Sequence, residues 1–364
     1  MSAALKDLLM ARIEAEGPIS LADYMADCLM HPQHGYYATR DPFGAGGDFI
    51  TAPEISQMFG EMIGLCLAQA WADQGAPKRI VLAEAGPGRG TLMADILRTA
   101  RRALPAFAQG AEVHLVETSE TLRAVQAATL EAAGYARADV TWHDSVHDLP
   151  EDAPLYFVAN EFFDALPIRQ FERALDGWSE RRVGIANGTL ALGRGAAAQI
   201  AALDHRSNDT KAGDVVELCP ASAPIMARIG AQIEARGGAA LIIDYGDWRS
   251  LGDTFQALQD HAPADPFADP GAADLTAHVD FEALAAAAPC AHSRLLTQGV
   301  FLERLGITAR AQALAKSLSG AALGNHIAAH RRLTHPAEMG TLFKVIALAP
   351  HGAPFPPGFD GPTP

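Results

Sequence analysis

Leu5, Leu8, Leu9 and Ile13 recur at helical spacing, which predicts an amphipathic helix over residues 2–16. Ser20 reads as the cap of a second helix ending at Leu29. Residues 31–53 are dense in Gly, Pro and aromatics and predict a loop; a third helix follows over 54–74. From Lys78 the pattern changes. Short apolar runs alternate with helical stretches: RIVLAEA, TLMADILRTARRAL, EVHLVETS, TLRAVQAATLEAAG with Gly134 as a helix stop, VTWHDS, PLYFVANEFF and, much later, GGAALIIDYG. Apolar runs of this kind are parallel strands covered on both faces. They predict an open doubly wound α/β sheet over residues 78–250.

Two stretches interrupt the alternation. Residues 168–193 alternate about the turn dipeptide Asn187-Gly188 and predict a β-hairpin. Residues 252–280, rich in Pro, Asp and Gly, predict a long ordered loop. Helical residues 301–332 lead to GTLFKVIALA, a last strand closing the sheet, and PHGAPFPPGFDGPTP predicts a frayed tail. The expected organisation is a helical and loop block over 1–77 and a sheet core over 78–250 carrying the hairpin insertion 168–193. A 251–350 segment of loop, helices and final strands follows, then a flexible tail over 351–364.

Composition narrows the function. Of 364 residues, 49% are hydrophobic and 20% charged, enough for a large core. Asp plus Glu number 43 against 28 Lys plus Arg, a formal charge of -15. That balance argues against nucleic acid as a partner and suits a basic protein or peptide. No apolar run reaches about 18 residues, so no membrane span is expected. Cys28, Cys66, Cys219 and Cys290 are too scattered for a disulfide framework or a metal site and suit a reducing compartment. The opening MSAALKDLLM lacks the apolar segment of a signal peptide, and a soluble cytoplasmic protein is expected.

The sharpest chemical signal is Glu84-Ala85-Gly86-Pro87-Gly88-Arg89-Gly90-Thr91, after a predicted strand and before a helix. Glycines let backbone approach a ligand, and the first helical turn offers free N–H groups. Gly86, Gly88 and Gly90 are one residue short of the dinucleotide fingerprint, and no Gly-Lys-Ser/Thr follows as in a P-loop. Glu84 would repel a pyrophosphate but suits a cationic amino group. S-adenosyl-L-methionine, with an ammonium, a sulfonium and no phosphate, matches better. Glu117 ends the second strand and can accept from ribose hydroxyls; Asp144 ends the third and can accept from an adenine amino group. The bland readings are a tight strand-to-helix turn and helix caps.

Asn160, Glu161 and Asp164 lie in VANEFFDALP, polar groups among aromatics at the end of the fourth strand, where an acceptor would sit. In GGDFITAPE, Thr51 and Glu54 have the spacing of a capping box with Pro53 in the first turn, while Asp48 beside two glycines suits a loop folding over a ligand. His31 with His34 and His326 with His330 have ligand-like spacing, but no metal motif accompanies them and no metal is expected. Arg331-Arg332 reads as a solvated charge pair.

At these residues the chain resembles the MidA family of class I methyltransferases, bacterial relatives of the mitochondrial complex I assembly arginine methyltransferase. The matching stretches are HPQHGYY, GGDFITAPE, AEAGPGRGTLMADILR, HLVETS, ANEFFDALPIRQF, ALIIDYG, DLTAHVDF, QGVFLERLGI and MGTLFKV, from His31 to Val345. The pair GGDFITAPE and NEFFDALP is far more specific than the glycine loop. The resemblance implies a Rossmann-like methyltransferase sheet with an N-terminal helical block, an inserted hairpin and C-terminal helices. It implies methyl transfer from S-adenosyl-L-methionine to protein arginine, giving symmetric dimethylarginine on a core subunit of respiratory complex I. Glu84, Gly86, Gly88 and Glu117 become cofactor contacts, with Pro87 and Gly90 in the same loop. Asp48, Thr51, Pro53 and Glu54 belong to a cofactor-lid and substrate loop, and Asn160 and Glu161 face the acceptor. The resemblance leaves Asp274, His278 and Asp280 without an assigned role. A chain without a transit peptide is expected of a bacterial cytoplasmic protein.

A guanidinium is protonated near neutrality and lacks a free lone pair. Carboxylates can hold its charge on two nitrogens and leave the third better placed to attack, with Glu161 the first candidate and Asp164, Glu54 and Asp48 candidate partners. The alternatives are a non-catalytic S-adenosyl-L-methionine-binding assembly chaperone and a nicotinamide-dependent dehydrogenase. The hairpin and the 301–332 helices are candidates for a substrate contact or a homodimer contact.

Overall fold

The computed structural model describes residues 2–39, 51–259 and 261–360. Two helices, α1 (Ser2–Glu16) and α2 (Leu21–Met30), open the chain, and the Ser20 hydroxyl caps α2 by accepting from the Asp23 N–H. Of the expected stripe on α1, Leu5, Leu9 and Ile13 are buried but Leu8 is exposed. The expected single helix over 54–74 is two pieces. A short turn, Ala52–Ile55, breaks at the extended Ser56, whose side chain then caps α3 (Gln57–Asp73).

The core alternates as the apolar runs predict: β1 (Ile80–Ala85), α4 (Thr91–Ala103), β2 (Ala111–Val116), α5 (Glu120–Ala132), β3 (Val140–His143) and β4 (Leu155–Asn160). An antiparallel excursion follows, β5 (Arg169–Ala174), β6 (Gly177–Ala186), β7 (Thr189–Ala198) and β8 (Val215–Leu218). The chain returns through α6 (Ser222–Arg236) to β9 (Gly238–Asp247). Helices α7 (Gln298–Arg304), α8 (Ile307–Ala315) and α9 (Gly320–Thr334) precede β10 (Phe343–Ala349).

The central sheet runs β3-β2-β1-β4-β9-β10; β1 to β4 and β9 are parallel, and β10 is antiparallel to β9. Alternate residues serve opposite faces. Leu82, Leu115, Tyr156, Val158 and Leu241 pack with α3 and α4 on one side. Val81, Ala83, Phe157 and Ile242 pack with α6 on the other. Strand order reverses between β2 and β4 about β1, the switch point where open sheets bind ligands.

The insertion is larger than one hairpin. Asn187 and Gly188, at φ 53° and 76°, form the expected tight turn between β6 and β7, but β5, β8 and the strand Ile19–Ser20 complete a five-stranded sheet. Residues 252–280 are not a plain loop. Gln256–Gln259, Ala262–Ala264 and Asp274–Thr276 pair as a small antiparallel sheet. Its Ala257 and Leu275 share a core with Leu5 and Leu9 of α1 and Tyr24 of α2. Residues 1–77 therefore do not share one core, since α3 belongs to the central sheet. The tail expected to fray is packed up to Asp360: Phe359 lies against the Phe301 ring at 4.9 Å, and Asp360 pairs with Arg304 at 2.9 Å. Buried Glu61 on α3 takes a two-pronged bond from Arg310 of α8, at 2.7 and 2.9 Å, tying the C-terminal helices to the core.

Candidate functional site

Register brings the carboxyl ends of β1, β2 and β4 to one edge, with Ala85 beside Val116 and Ala159. The glycine loop leaves from there. Gly86, Gly88 and Gly90 all have positive φ, at 64°, 52° and 82°, which explains their alternation. A Cβ on Gly86 would lie 3.0 Å from the Phe162 ring, so the glycine loop and the turn after β4 are in contact. The Gly86 N–H donates to the Val116 carbonyl at 3.1 Å, anchoring the loop to β2.

Glu84, on β1 directly beneath the loop, is 2% exposed. One carboxylate oxygen meets the Met93 backbone; the other, Oε2, has no partner among the described residues. Burial pushes this carboxyl up to about 8. Glu117 follows β2. Its Oε1 accepts from the Ser119 N–H at 2.8 Å and its Oε2 from Gln126 Nε2 at 3.2 Å, while burial raises its pKa.

Sequence reasoning missed Gln126. Fully buried on α5, it donates to the Gly88 carbonyl at 2.8 Å and to Glu117, and accepts from the Trp142 indole at 2.8 Å. The available signal was a polar residue inside the buried stripe Leu122, Gln126, Leu130. Gln126→Leu leaves three groups unpaired and is expected to lower unfolding stability in urea by roughly 2–3 kcal/mol. An unchanged midpoint would contradict this accounting.

Asp144 is exposed, and its Oδ1 takes a 2.5 Å bond from Arg123, itself bonded to the Glu117 carbonyl. Each of the three predicted nucleoside-facing acids thus has at least one carboxylate oxygen already engaged by the protein.

At the end of β4 the chain turns sharply. Glu161 has φ 54°, a strained conformation for a side-chain-bearing residue. Its Oε1 accepts from Asn160 Nδ2 at 3.1 Å and from the Ala52 N–H at 3.3 Å, which joins this turn to the short helix after Thr51. Burial first and Asp164 second push its carboxyl up to about 7. Asp164, buried and bonded to Tyr245, is raised to about 6 by burial. Asp244, fully buried on β9, is raised further by burial and by its neighbours Asp164 and Glu161. Sequence reasoning also missed Asp244.

Two adjoining hollows share Gly86, Gly88 and Glu161. The larger, about 290 Å³, is lined by Glu117, Asp144, Phe162 and Leu166 among others. The smaller, about 40 Å³, is lined by Thr51, Pro53, Glu54, Glu84, Pro87 and Asn160 among others. Gly90 lies beneath the loop against Gln126, and Asp164 lies behind the turn. Asp48 falls outside the described residues. The capping box does not form. Thr51 makes no side-chain cap, and Glu54 instead accepts from the Thr91 hydroxyl at 2.5 Å, because its carboxylate reaches the start of α4.

The DLTAHVDF residues gain structural accounts. Asp274 accepts from the Tyr37 hydroxyl at 2.8 Å, His278 packs on the Tyr245 ring, and Asp280 caps Phe281–Ala287. His31 and His34 stack on each other, and His326 and His330 bond Ala311 and Thr308. Among the described residues no group of three or more His, Cys, Asp or Glu could hold a metal, and no helix is long and apolar enough to cross a membrane.

A family described as "Putative S-adenosyl-L-methionine-dependent methyltransferase" matches residues 62–299. The chain belongs to this methyltransferase family. Among its relatives is Protein arginine methyltransferase NDUFAF7, mitochondrial, of Xenopus laevis, 37% identical over 96% of this chain and 85% of the relative. The Homo sapiens protein of that name is 36% identical over 94% and 82%. A solved structure from Burkholderia thailandensis bound to S-adenosyl-homocysteine superposes with a TM-score of 0.82, at 33% identity over 99% of this chain and 94% of that one.

The methyltransferase's resemblance to MidA proteins, its class I fold and its cofactor, S-adenosyl-L-methionine, are thereby borne out. The dehydrogenase alternative falls with them. The expected bacterial cytoplasmic location is overturned, because these curated relatives are named as mitochondrial proteins. Cysteine usage and a short opening segment report on chemistry and leader type too coarsely to decide a compartment.

Proposed function

We propose that this methyltransferase methylates an arginine side chain of a protein. The observation that carries the reading is a group of acids without an ion-pair partner among the described residues. Glu84, Glu161, Asp164 and Asp244 sit at or behind one cleft, all pushed up in pKa, none in an ion pair among the described residues. Buried carboxylates ordinarily have a positive partner. Two cations would complete the set: an amino acid ammonium at Glu84 and a guanidinium at Glu161. The names of the relatives support the second.

The residues fit the cofactor. Glu84 offers a free buried oxygen, the glycine loop leaves room for close approach, and Glu117 lines the adjoining hollow for ribose hydroxyls. Thr51 and Pro53 close the smaller hollow from the other side. Bound S-adenosyl-L-methionine supplies an activated methyl sulfonium.

The protein's work is positioning and proton handling. Glu161 accepts N–H bonds from the guanidinium, drawing its charge to two nitrogens and leaving the third to attack. Asn160 steadies the Glu161 carboxylate, and Asp164 and Glu54 add negative potential around the acceptor. As the N–C bond forms and the S–C bond breaks, the extra guanidinium proton passes to a Glu161 oxygen, whose affinity near neutrality suits it.

The finer reading, symmetric dimethylation of a core subunit of respiratory complex I, rests on the motif resemblance, and a homodimer contact through the hairpin or the 301–332 helices is a separate expectation. Saturating S-adenosyl-homocysteine, at about 100 times Kd, should stabilise the fold by roughly 2.7 kcal/mol. Labelled methyl should pass to arginine-bearing subunit fragments. Binding without transfer to any arginine fragment would favour the chaperone and overturn the proposal.

A further inference from the structure

We infer that Asp244 is the positioning residue of the acceptor turn: from the middle layer of the sheet it holds Glu161 in the backbone conformation that presents its carboxylate to the acceptor. The inference rests on the reading that Glu161 meets the acceptor.

Asp244 is 0% exposed and lines neither hollow of the cleft. Its bonds all go to backbone. Oδ2 accepts from the N–H groups of Phe163, at 3.0 Å, and Asp164, at 3.2 Å; Oδ1 accepts from the Tyr245 N–H at 2.9 Å. On either side of that grip the turn is pinned again. The Glu161 N–H donates to the Ile243 carbonyl at 2.9 Å, and the Asp164 carbonyl accepts from the Ala277 N–H at 3.0 Å. Glu161 itself sits at φ 54°, which persists only where the surroundings dictate it. The carboxylate of Asp244 therefore does for this turn what a cap does for a helix: it collects N–H groups that the bend leaves without ladder partners.

The same carboxylate acts through space. It faces Glu161 and Asp164 on the turn and Tyr245 on its own strand. Tyr37 and Asp274 stand on the far side of Asp164, and Arg332 of α9 is the cation felt at Glu161. Burial and the neighbouring Asp164 and Glu161 push the Asp244 carboxyl well above the usual carboxylate range, so it holds the turn through its accepted N–H bonds.

The test is Asp244→Asn, read by methyl transfer to an arginine peptide, S-adenosyl-homocysteine calorimetry and circular dichroism. Expected is a fall in kcat of roughly 10- to 100-fold with a cofactor Kd within about threefold, because an amide nitrogen cannot accept the N–H bonds that hold the turn. In a Glu161→Gln background, Asp244→Asn should cost less than about threefold further, since it acts through the group already removed. A folded Asp244→Asn with wild-type kcat, or costs that multiply in full, overturns the inference. Normal turnover by Glu161→Gln alone would instead sink the reading beneath it. Should Asp244→Asn not fold, Asp244→Ser, which keeps one acceptor, takes its place. Failure of both to fold assigns Asp244 to the scaffold alone and also overturns the inference.

Discussion

Glu84→Gln is expected to weaken S-adenosyl-homocysteine binding by about 3 kcal/mol, on the order of 100-fold in Kd. Glutamine preserves shape and the Met93 contact but presents no charge to an ammonium. The cost is large because Glu84 Oε2 has no competing partner within the described protein, so ligand and carboxylate satisfy each other. Proton counting gives a second readout. With its carboxyl near 8, Glu84 is mostly protonated at pH 7 in the free protein and must ionise beside the cation. Binding at pH 7 should therefore release close to one proton, seen as a dependence of calorimetric heat on buffer ionisation enthalpy. That dependence should vanish in Glu84→Gln. Equal affinity in the variant would remove Glu84 from the cofactor site.

Glu161→Gln is expected to leave S-adenosyl-homocysteine affinity within about threefold and to slow methyl transfer by roughly 100- to 1000-fold. The amide can neither draw the guanidinium charge nor take its proton. In the parent enzyme kcat should rise with pH as Glu161 ionises through about 7. The sign follows from the raised carboxyl: below that pH the neutral acid predominates and cannot grip a cation. The variant should lose this acid limb. Label incorporation at parent rates would take the side chain out of the chemistry.

The alternation of apolar runs with helices predicted β1 to β4 and β9 because strands buried on both faces must be apolar throughout, a local property. The glycine loop was equally legible, since three positive φ angles in five residues demand glycine. What escaped were groups whose meaning is a distant partner. Asp244 lies about 80 positions from the N–H groups it holds, inside a run that reads simply as strand. Gln126 reads as one more helix residue until Gly88 and Trp142 converge on it. The Thr51 and Glu54 spacing was read as a cap, but tertiary contact with Thr91 outcompeted that local bond.

Local pattern by itself thus determined the sheet class, the position of the glycine loop and the acids at three strand ends, because side-chain periodicity and backbone sterics act within a few residues. Only the tertiary structure decided that residues 252–280 fold as strands beside the opening helices and that Asp144 is tied to Arg123. It alone placed four acids at or behind one cleft with no ion-pair partner among the described residues. Burial and electrostatic coupling depend on what surrounds a group in space, and that neighbourhood is assembled from segments far apart along the chain.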